Sequence, residues 1–521
     1  MKRFDCREIE LKGKNLIEAS AGTGKTYSIA LLFLRMVLEG MKADSILTVT
    51  FTNAATAELK SRIINFLKTA GAVLDGSVKS DCPDEIRDII SRYEASAGRD
   101  TVVQRLAAAS KDMDNVQIFT IHGFCRRMLA DNAFEAGVLF NMEIAPDIEE
   151  TVRGAVESFW RREIQHIPAD VLPAISSGRW FSIEGLMDLV KGRRNVIDLV
   201  ILPESGKDSL SWEHKGSIFN TGDDGGLCSD LVVLFRRLLT EVNGAVAVET
   251  AKNGATGFDD LLKLIDAALN DPAKKDILIS SMKKKYSAVL IDEFQDTDSL
   301  QYSIFERLFG GGHHVMFFIG DPKQAIYSFR NADVFAYLEA KKKLNEDRQY
   351  TMDVNYRSSR MAVNAVKAVF RRENPFVIPD IPLPEVESSS EEENGLYLKG
   401  VPVPGMEIKF IRKDAALPFE LSSDRSRMVY RVKHDFAKRK AVSDICASII
   451  EMLKEGSAYT ITEKNTHREL KPSDIAVLVN SNTDAELVRN SFSKYGIPFV
   501  MASNTSVFES DEAFDMLIVL E

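Results

Sequence analysis

An α/β fold built on buried parallel strands is what this 521-residue chain predicts, on three observations. Short apolar runs rich in β-branched and aromatic residues recur: Leu16-Ile17, Ile46–Phe51, Val116–Phe119, Ala288–Ile291, Val315–Ile319 and Ile475–Val479. Runs that are apolar on both faces suit parallel strands, which are covered on both sides. Helical patterns lie between them. After Thr26, the residues Ile29, Leu32, Phe33, Met36 and Val37 fall on one helix face, and Gly40 is a stop signal. The first strand also runs directly into a glycine-containing loop that opens this helix. Strand–helix alternation of this kind defines an α/β core.

Composition narrows the class. The chain is 45% hydrophobic and 27% charged, an ordinary globular balance, and long enough to bury a core without disulfides or structural metal. Five scattered cysteines form no C-x-x-C pair, which argues against a zinc ribbon, an iron–sulfur cluster or a disulfide scaffold. The first residues are charged and no apolar run is long enough to span a bilayer, so a reduced, cytoplasmic protein with no membrane partner is expected. Lys and Arg total 66 against 77 Asp and Glu, a net charge of −11. The chain therefore lacks the basic domain common in nucleic-acid binders, and any polyanion must be held by local patches.

Four regions are expected. Residues 1–130 and 276–345 make two parts of one α/β lobe, split by a mostly helical insertion over 131–275. Residues 346–521 make a second, incomplete lobe with an acidic, Pro-rich surface loop near 374–405. Phe514 to Glu521 is an apolar helical pattern without a cap, which predicts a chain that continues.

Three motifs carry chemistry. Ala19-Ser20-Ala21-Gly22-Thr23-Gly24-Lys25-Thr26 stands between a strand and a helix as a P-loop, with Ala19 in the first glycine position. Backbone N–H groups of such a loop cradle phosphates. Lys25 would neutralise the β/γ-phosphates of ATP, and the Thr26 hydroxyl would ligate Mg²⁺. Ala288–Ile291 delivers Asp292-Glu293 to a strand's carboxyl end, where α/β sheets bind ligands. Asp292 would hold Mg²⁺ and Glu293 would orient and deprotonate the attacking water. A further strand ends in Gly320-Asp321-Pro322-Lys323-Gln324, and the Gln324 amide suits a γ-phosphate sensor. Tyr327 and Phe329 follow in a polar segment, where either core packing or base stacking accounts for them. The long interval between Lys25 and Asp292 fits a motor with inserted domains better than a small kinase.

Taken together, these segments resemble superfamily 1 DNA helicases of the UvrD/Rep type, and within them the RecB-type chains. The similar segments are Leu16–Thr26, Val49–Leu59, Phe119–Cys125, Ile291–Asp298, Gly320–Asp333 and Asn355–Ser358, with Ser503–Glu509 also RecB-like. The resemblance implies two RecA-like lobes with ATP between them and single-stranded DNA crossing both. It implies that Tyr356 stacks on adenine and that Arg357 reaches the γ-phosphate as an arginine finger. It further implies DNA contacts from Phe51, Thr52 and Asn53, from Thr120, His122 and Phe124, and from Tyr327, Phe329 and Arg330. Hydroxyl, amide and imidazole groups suit phosphate contacts, and aromatics suit stacking. Phe51 and Phe124 suit a core role equally well.

Three departures stand out. Asn331 replaces a glycine common in the family, no glutamine precedes Thr26, and neither the late helicase motifs nor a D-Y-K nuclease site follows Arg357. The resemblance thus implies the amino-terminal part of an ATP-dependent 3′-to-5′ helicase subunit of a RecBCD-type exodeoxyribonuclease, working on DNA ends with RecC-like and RecD-like partners. The alternatives are a stand-alone UvrD-like or AddA-like helicase or, for this chain by itself, a nucleotide- and DNA-binding module without motor activity. With only one of the family's two arginine fingers matched, this chain alone is expected to hydrolyse ATP weakly or not at all and not to unwind DNA.

Overall fold

The computed structural model describes residues 1–77, 82–133, 143–144, 149–172, 176, 180–191, 225–253, 255–256, 258–311, 314–327, 332–389, 394–411, 419–424, 427–432, 434–463, 466–501 and 511–520. The described chain divides into two compact units, Met1–Val354 with Phe376–Val386, and Asn355–Pro375 with Glu387–Glu521.

The first unit is organised by a seven-stranded sheet. Its strands are β1 (Lys2–Arg3), β2 (Lys14–Ala19), β3 (Ile46–Thr50), β4 (Gln117–Thr120), β5 (Ala288–Ile291), β6 (Val315–Gly320) and β7 (Gln349–Met352). They lie in the order β1-β7-β2-β6-β5-β3-β4, and every neighbouring pair is parallel. The two-residue alternation of a strand explains why these runs are apolar throughout. Ile17, Ile46, Leu290 and Phe317 turn to one face, where they join α1 (Lys25–Glu39), α2 (Asn53–Leu74), α3 (Asp84–Ala97) and α4 (Arg99–Lys111). Their neighbours Leu16, Leu47, Ile291 and Phe318 turn to the other, where they meet α5 (Ile121–Asp131) and the helices Phe258–Asn270, Pro272–Lys285 and Ser299–Phe309. As the sequence suggests, α1 ends at Gly40, which takes φ 109°, a left-handed conformation natural to glycine.

Between α5 and Phe258 the described chain is largely helical. Glu149–Phe159, Ile183–Lys191 and the core of Gly225–Asn253 share a separate hydrophobic cluster around Val156, Phe159, Leu186, Leu234 and Leu238. Two boundaries differ from the sequence reading. The insertion ends before 275, because Leu261, Leu262, Ile265, Ala268 and Leu269 pack with Phe124 and Cys125 beneath the sheet. The first lobe also runs past 345, because β7 pairs with both β1 and β2.

The second unit is built differently. Its four-stranded sheet runs Val401–Pro402, Gly395–Leu398, Tyr459–Glu463 and Thr466–Glu469, with antiparallel neighbours. Helices His434–Leu453 and Asn482–Tyr495 enclose a small core of Val442, Cys446, Ile449, Val488, Phe492 and Ile497. Ile475–Val479 is not a buried strand: among the described residues it joins no ladder, and Leu478 is 95% exposed. The segment 374–405 is not simply a solvated loop either. Ile381 is buried in the first unit with Phe376 and Ile378 against the same core, and Gly395–Leu398 is a ladder strand. No described helix is long and apolar enough to cross a membrane.

Candidate nucleotide site and nucleic-acid cleft

All five loops that matter leave carboxyl ends of parallel strands in the first unit, so they open along one edge of the sheet. The P-loop follows β2, Asp292-Glu293 follows β5, and the Asp321–Gln324 turn follows β6. Register sets the alignment: Glu18 pairs with Gly320, and Ile291 with Phe318.

Gly22 and Gly24 take φ 79° and 85°, conformations that leave a side-chain-free loop at the α1 amino terminus. Thr23 is buried and donates its hydroxyl to the Ser20 carbonyl at 2.7 Å, which tightens the turn. Ala19, Ser20 and Ala21 lead into it, and Lys25 and Thr26 open the helix. The Lys25 ammonium pairs with Glu293 Oε2. Glu293 itself has φ 52°, a left-handed backbone that a non-glycine residue holds at a cost of order 1 kcal/mol or more. Its amide donates to Asp292 Oδ1 at 2.9 Å, and the Asp292 amide donates to the Val49 carbonyl at 2.9 Å.

Asp292 is 6% exposed. Burial raises its carboxyl to about 7 and the neighbouring Glu293 charge adds to that, while Lys25 opposes it. Burial and Glu293 also raise Asp296, to about 6. A concentration of carboxylate in so dry a place is what a divalent cation would neutralise. Asp292 and Thr26 supply the hard oxygen donors that Mg²⁺ prefers, and Mg²⁺ in nucleotide sites takes most of its other ligands from phosphate and water. The residues present fit that ion.

Gln324 lies in a short turn over Pro322–Gln324, where its amide donates to Asp321 Oδ2 at 2.7 Å. Lys323 Nζ approaches Asp321 Oδ1 at 2.5 Å, and both Lys323 and Lys341 reach the buried Glu18. Tyr356 and Arg357 belong to the second unit. Buried Asn355 accepts the amides of Arg357 and Ser358 at 2.9 and 2.8 Å, which pins the turn, and the Tyr356 and Arg357 side chains are exposed.

Along the same edge, β3 and β4 are adjacent, with Thr50 opposite Thr120. Each feeds a helix through a threonine cap. Thr52 Oγ1 accepts from the Ala55 amide, and Thr120 Oγ1 from the Gly123 amide, both at 3.1 Å. Two helix amino termini thus open on one cleft of about 670 Å³, lined by Phe51, Thr52, Asn53, Phe119, Thr120, His122, Gly123, Arg126 and Arg127 among others. Oriented N–H groups and cations suit the phosphates of a polyanion. Tyr327 packs its ring against Phe51, with centroids 5.2 Å apart and planes 30° apart.

Phe124 does not join this cleft. It is fully buried and stacks on Phe305 at 5.5 Å, so it has no face to offer a base. Phe329 and Arg330 lie outside the described residues. Sequence reasoning missed Phe119, Arg126 and Arg127. The available signal was the helical repeat after Thr120, which buries Ile121, Phe124, Cys125 and Met128 and turns both arginines outward. Arg127 is shared with Asp131 at 3.1 Å.

Comparison with known proteins agrees with this geometry. The family model of the UvrD/REP helicase N-terminal domain matches residues 6–345. The chain belongs to that helicase family. Among similar proteins are the RecBCD enzyme subunit RecB of Escherichia coli strain K12, 30% identical over 99% of this chain and 50% of the relative, and that of Haemophilus influenzae, 28% identical over 97% and 51%. The RecB of Mycobacterium tuberculosis strain H37Rv is 28% identical over 97% of this chain and 42% of its own length. The chain spans about half the length of these relatives.

Proposed function

We propose that this chain is the ATP- and DNA-binding part of a RecB-type helicase subunit, which hydrolyses ATP to move 3′-to-5′ along single-stranded DNA in the repair and recombination of broken duplexes. RecC-like and RecD-like chains are the proposed partners, in the cytoplasm. The observation that supports it most is one sheet edge carrying both a P-loop with its carboxylate pair and a cleft framed by two helix amino termini.

In this reading the loop over Ala19–Thr26 wraps the ATP phosphates and Lys25 neutralises the β/γ-oxygens. Mg²⁺, held by Asp292 and the Thr26 hydroxyl, would offset charge on the phosphates. Phosphate competes with Glu293 for Lys25. Glu293 then takes a proton from water, the water oxygen bonds to the γ-phosphorus, and the bond to ADP breaks. Gln324 bonds the γ-phosphate, and the family resemblance assigns adenine stacking to Tyr356 and the arginine-finger role to Arg357. Phe51, Thr52, Asn53, Thr120, His122, Arg126 and Tyr327 hold the DNA strand.

Polarity is tested with partial duplexes carrying either a 3′ or a 5′ single-stranded tail. For the complete subunit of which this chain is the proposed part, ATP-dependent strand separation from the 3′-tailed substrate alone is the expected result; this chain alone is expected to separate neither. Separation from the 5′-tailed substrate alone would contradict the proposal.

A further inference from the structure

Gln295 is absorbed by no role so far, although it is 2% exposed and sits between two parts of the nucleotide site. Its Nε2 donates to Glu293 Oε2 at 2.7 Å, the oxygen that Lys25 also reaches. Its Oε1 accepts the Asp321 amide at 2.9 Å, and the Asp321 carboxylate in turn accepts from Gln324. Both ends of one amide are thereby used, one on the carboxylate after β5 and one on the loop after β6. Gly320 makes the space. A Cβ there would lie 2.5 Å from Gln295 Oε1 and 3.1 Å from the backbone nitrogens of Phe294 and Gln295.

We infer that Gln295 is a positioning residue for ATP hydrolysis. It fixes Glu293 Oε2, leaving Oε1 to accept the proton of the attacking water, and it ties that carboxylate to the loop that carries Gln324. The bridge is unlike a generic buried contact, because a hydrocarbon of the same volume would fill the space yet hold neither partner. The inference rests on the reading of Glu293 as the group that activates water.

The test is single-turnover hydrolysis of radiolabelled ATP by the complete subunit that carries this chain, with protein in excess and single-stranded DNA saturating, beside affinity for a fluorescent ATP analogue. Gln295→Met keeps the volume and removes the bridge. It should slow the chemical step by about 10²-fold, the order expected when a reacting group is slightly misplaced. Affinity should stay within about threefold, since the phosphate contacts are untouched. Gly320→Ala should slow the step in the same way by displacing Gln295. Because Gln295 acts through Glu293, adding Gln295→Met to Glu293→Gln should slow the reaction no further.

A wild-type rate in Gln295→Met or Gly320→Ala would overturn the inference, as would a double variant that multiplies the two single effects. Loss of nucleotide affinity in step with rate would overturn it too, by assigning Gln295 a merely structural role. If wild type shows no hydrolysis, or Glu293→Gln hydrolyses at the wild-type rate, the reading of Glu293 fails first and takes the inference with it.

Discussion

Leu290, at the centre of an apolar run in the first unit, is fully buried, whereas Leu478, in an equally apolar run of the second, is 95% exposed. The first run becomes β5, paired on one side with β3 and on the other with β6, and each face is closed by helices. The second joins no ladder among the described residues, and Val500, in the apolar segment after Asn482–Tyr495, is 98% exposed. Apolar pattern thus states that a strand needs covering; only tertiary neighbours cover it. The difference extends to chemistry. The closed sheet can hold Asp292 buried and Glu293 in a left-handed backbone because the surrounding structure over-determines them.

The comparison can be broken by deleting the same side chain in both places. Leu290→Ala should cost about 3–4 kcal/mol in chemical denaturation, as fully buried leucines do. Leu478→Ala should change stability by less than about 0.5 kcal/mol, as exposed positions do. Equal costs would show that the second run is covered in solution.

A smaller effect sharpens the electrostatic side. Asp292 is held above its ordinary range by burial, so the fold is favoured by its protonated form. That contribution is complete below about pH 4 and is lost as pH rises through about 7. In Mg²⁺- and nucleotide-free buffer, Asp292→Asn should therefore stabilise the protein, by about 1–2 kcal/mol at pH 8 and by less at pH 5. Calorimetry at the two pH values checks both sign and trend. A loss of stability at pH 8 would contradict the burial argument.

The smallest effect concerns the cleft. Arg126→Ala should weaken single-stranded DNA binding several-fold and lower the slope of log affinity against log salt by about 0.7, the loss of one phosphate contact. An unchanged slope would remove Arg126 from the binding surface.

Much of the first unit was legible in the sequence, because its strands are short, apolar and followed at once by loops with strong local chemistry. The P-loop needs only local spacing, and Asp292-Glu293 needs only the strand before it. What was not legible depends on long-range packing. Gln349–Met352 is too polar to read as a sheet strand, yet it pairs with β2. Phe124 lies one helical turn from Thr120 in a motif that opens on the cleft, but its ring turns under the sheet toward Phe305. Ile381 is one apolar residue in a Pro-rich stretch, and nothing local marks it as an anchor.

The most direct measurement is steady-state ATP turnover with and without single-stranded DNA, for wild type beside Lys25→Ala. For the complete subunit that carries this chain, the proposal predicts turnover that DNA stimulates and that Lys25→Ala reduces by at least about 10²-fold, since one preorganised charge contact on the transferring group carries that order of rate. This chain alone, with one of the family's two arginine fingers, should bind nucleotide and turn it over weakly or not at all. In the complete subunit, turnover indifferent to DNA, or preserved in Lys25→Ala, would contradict the proposed nucleotide and DNA roles of this sheet edge, and strong DNA-stimulated turnover by this chain alone would contradict its reading as an incomplete motor.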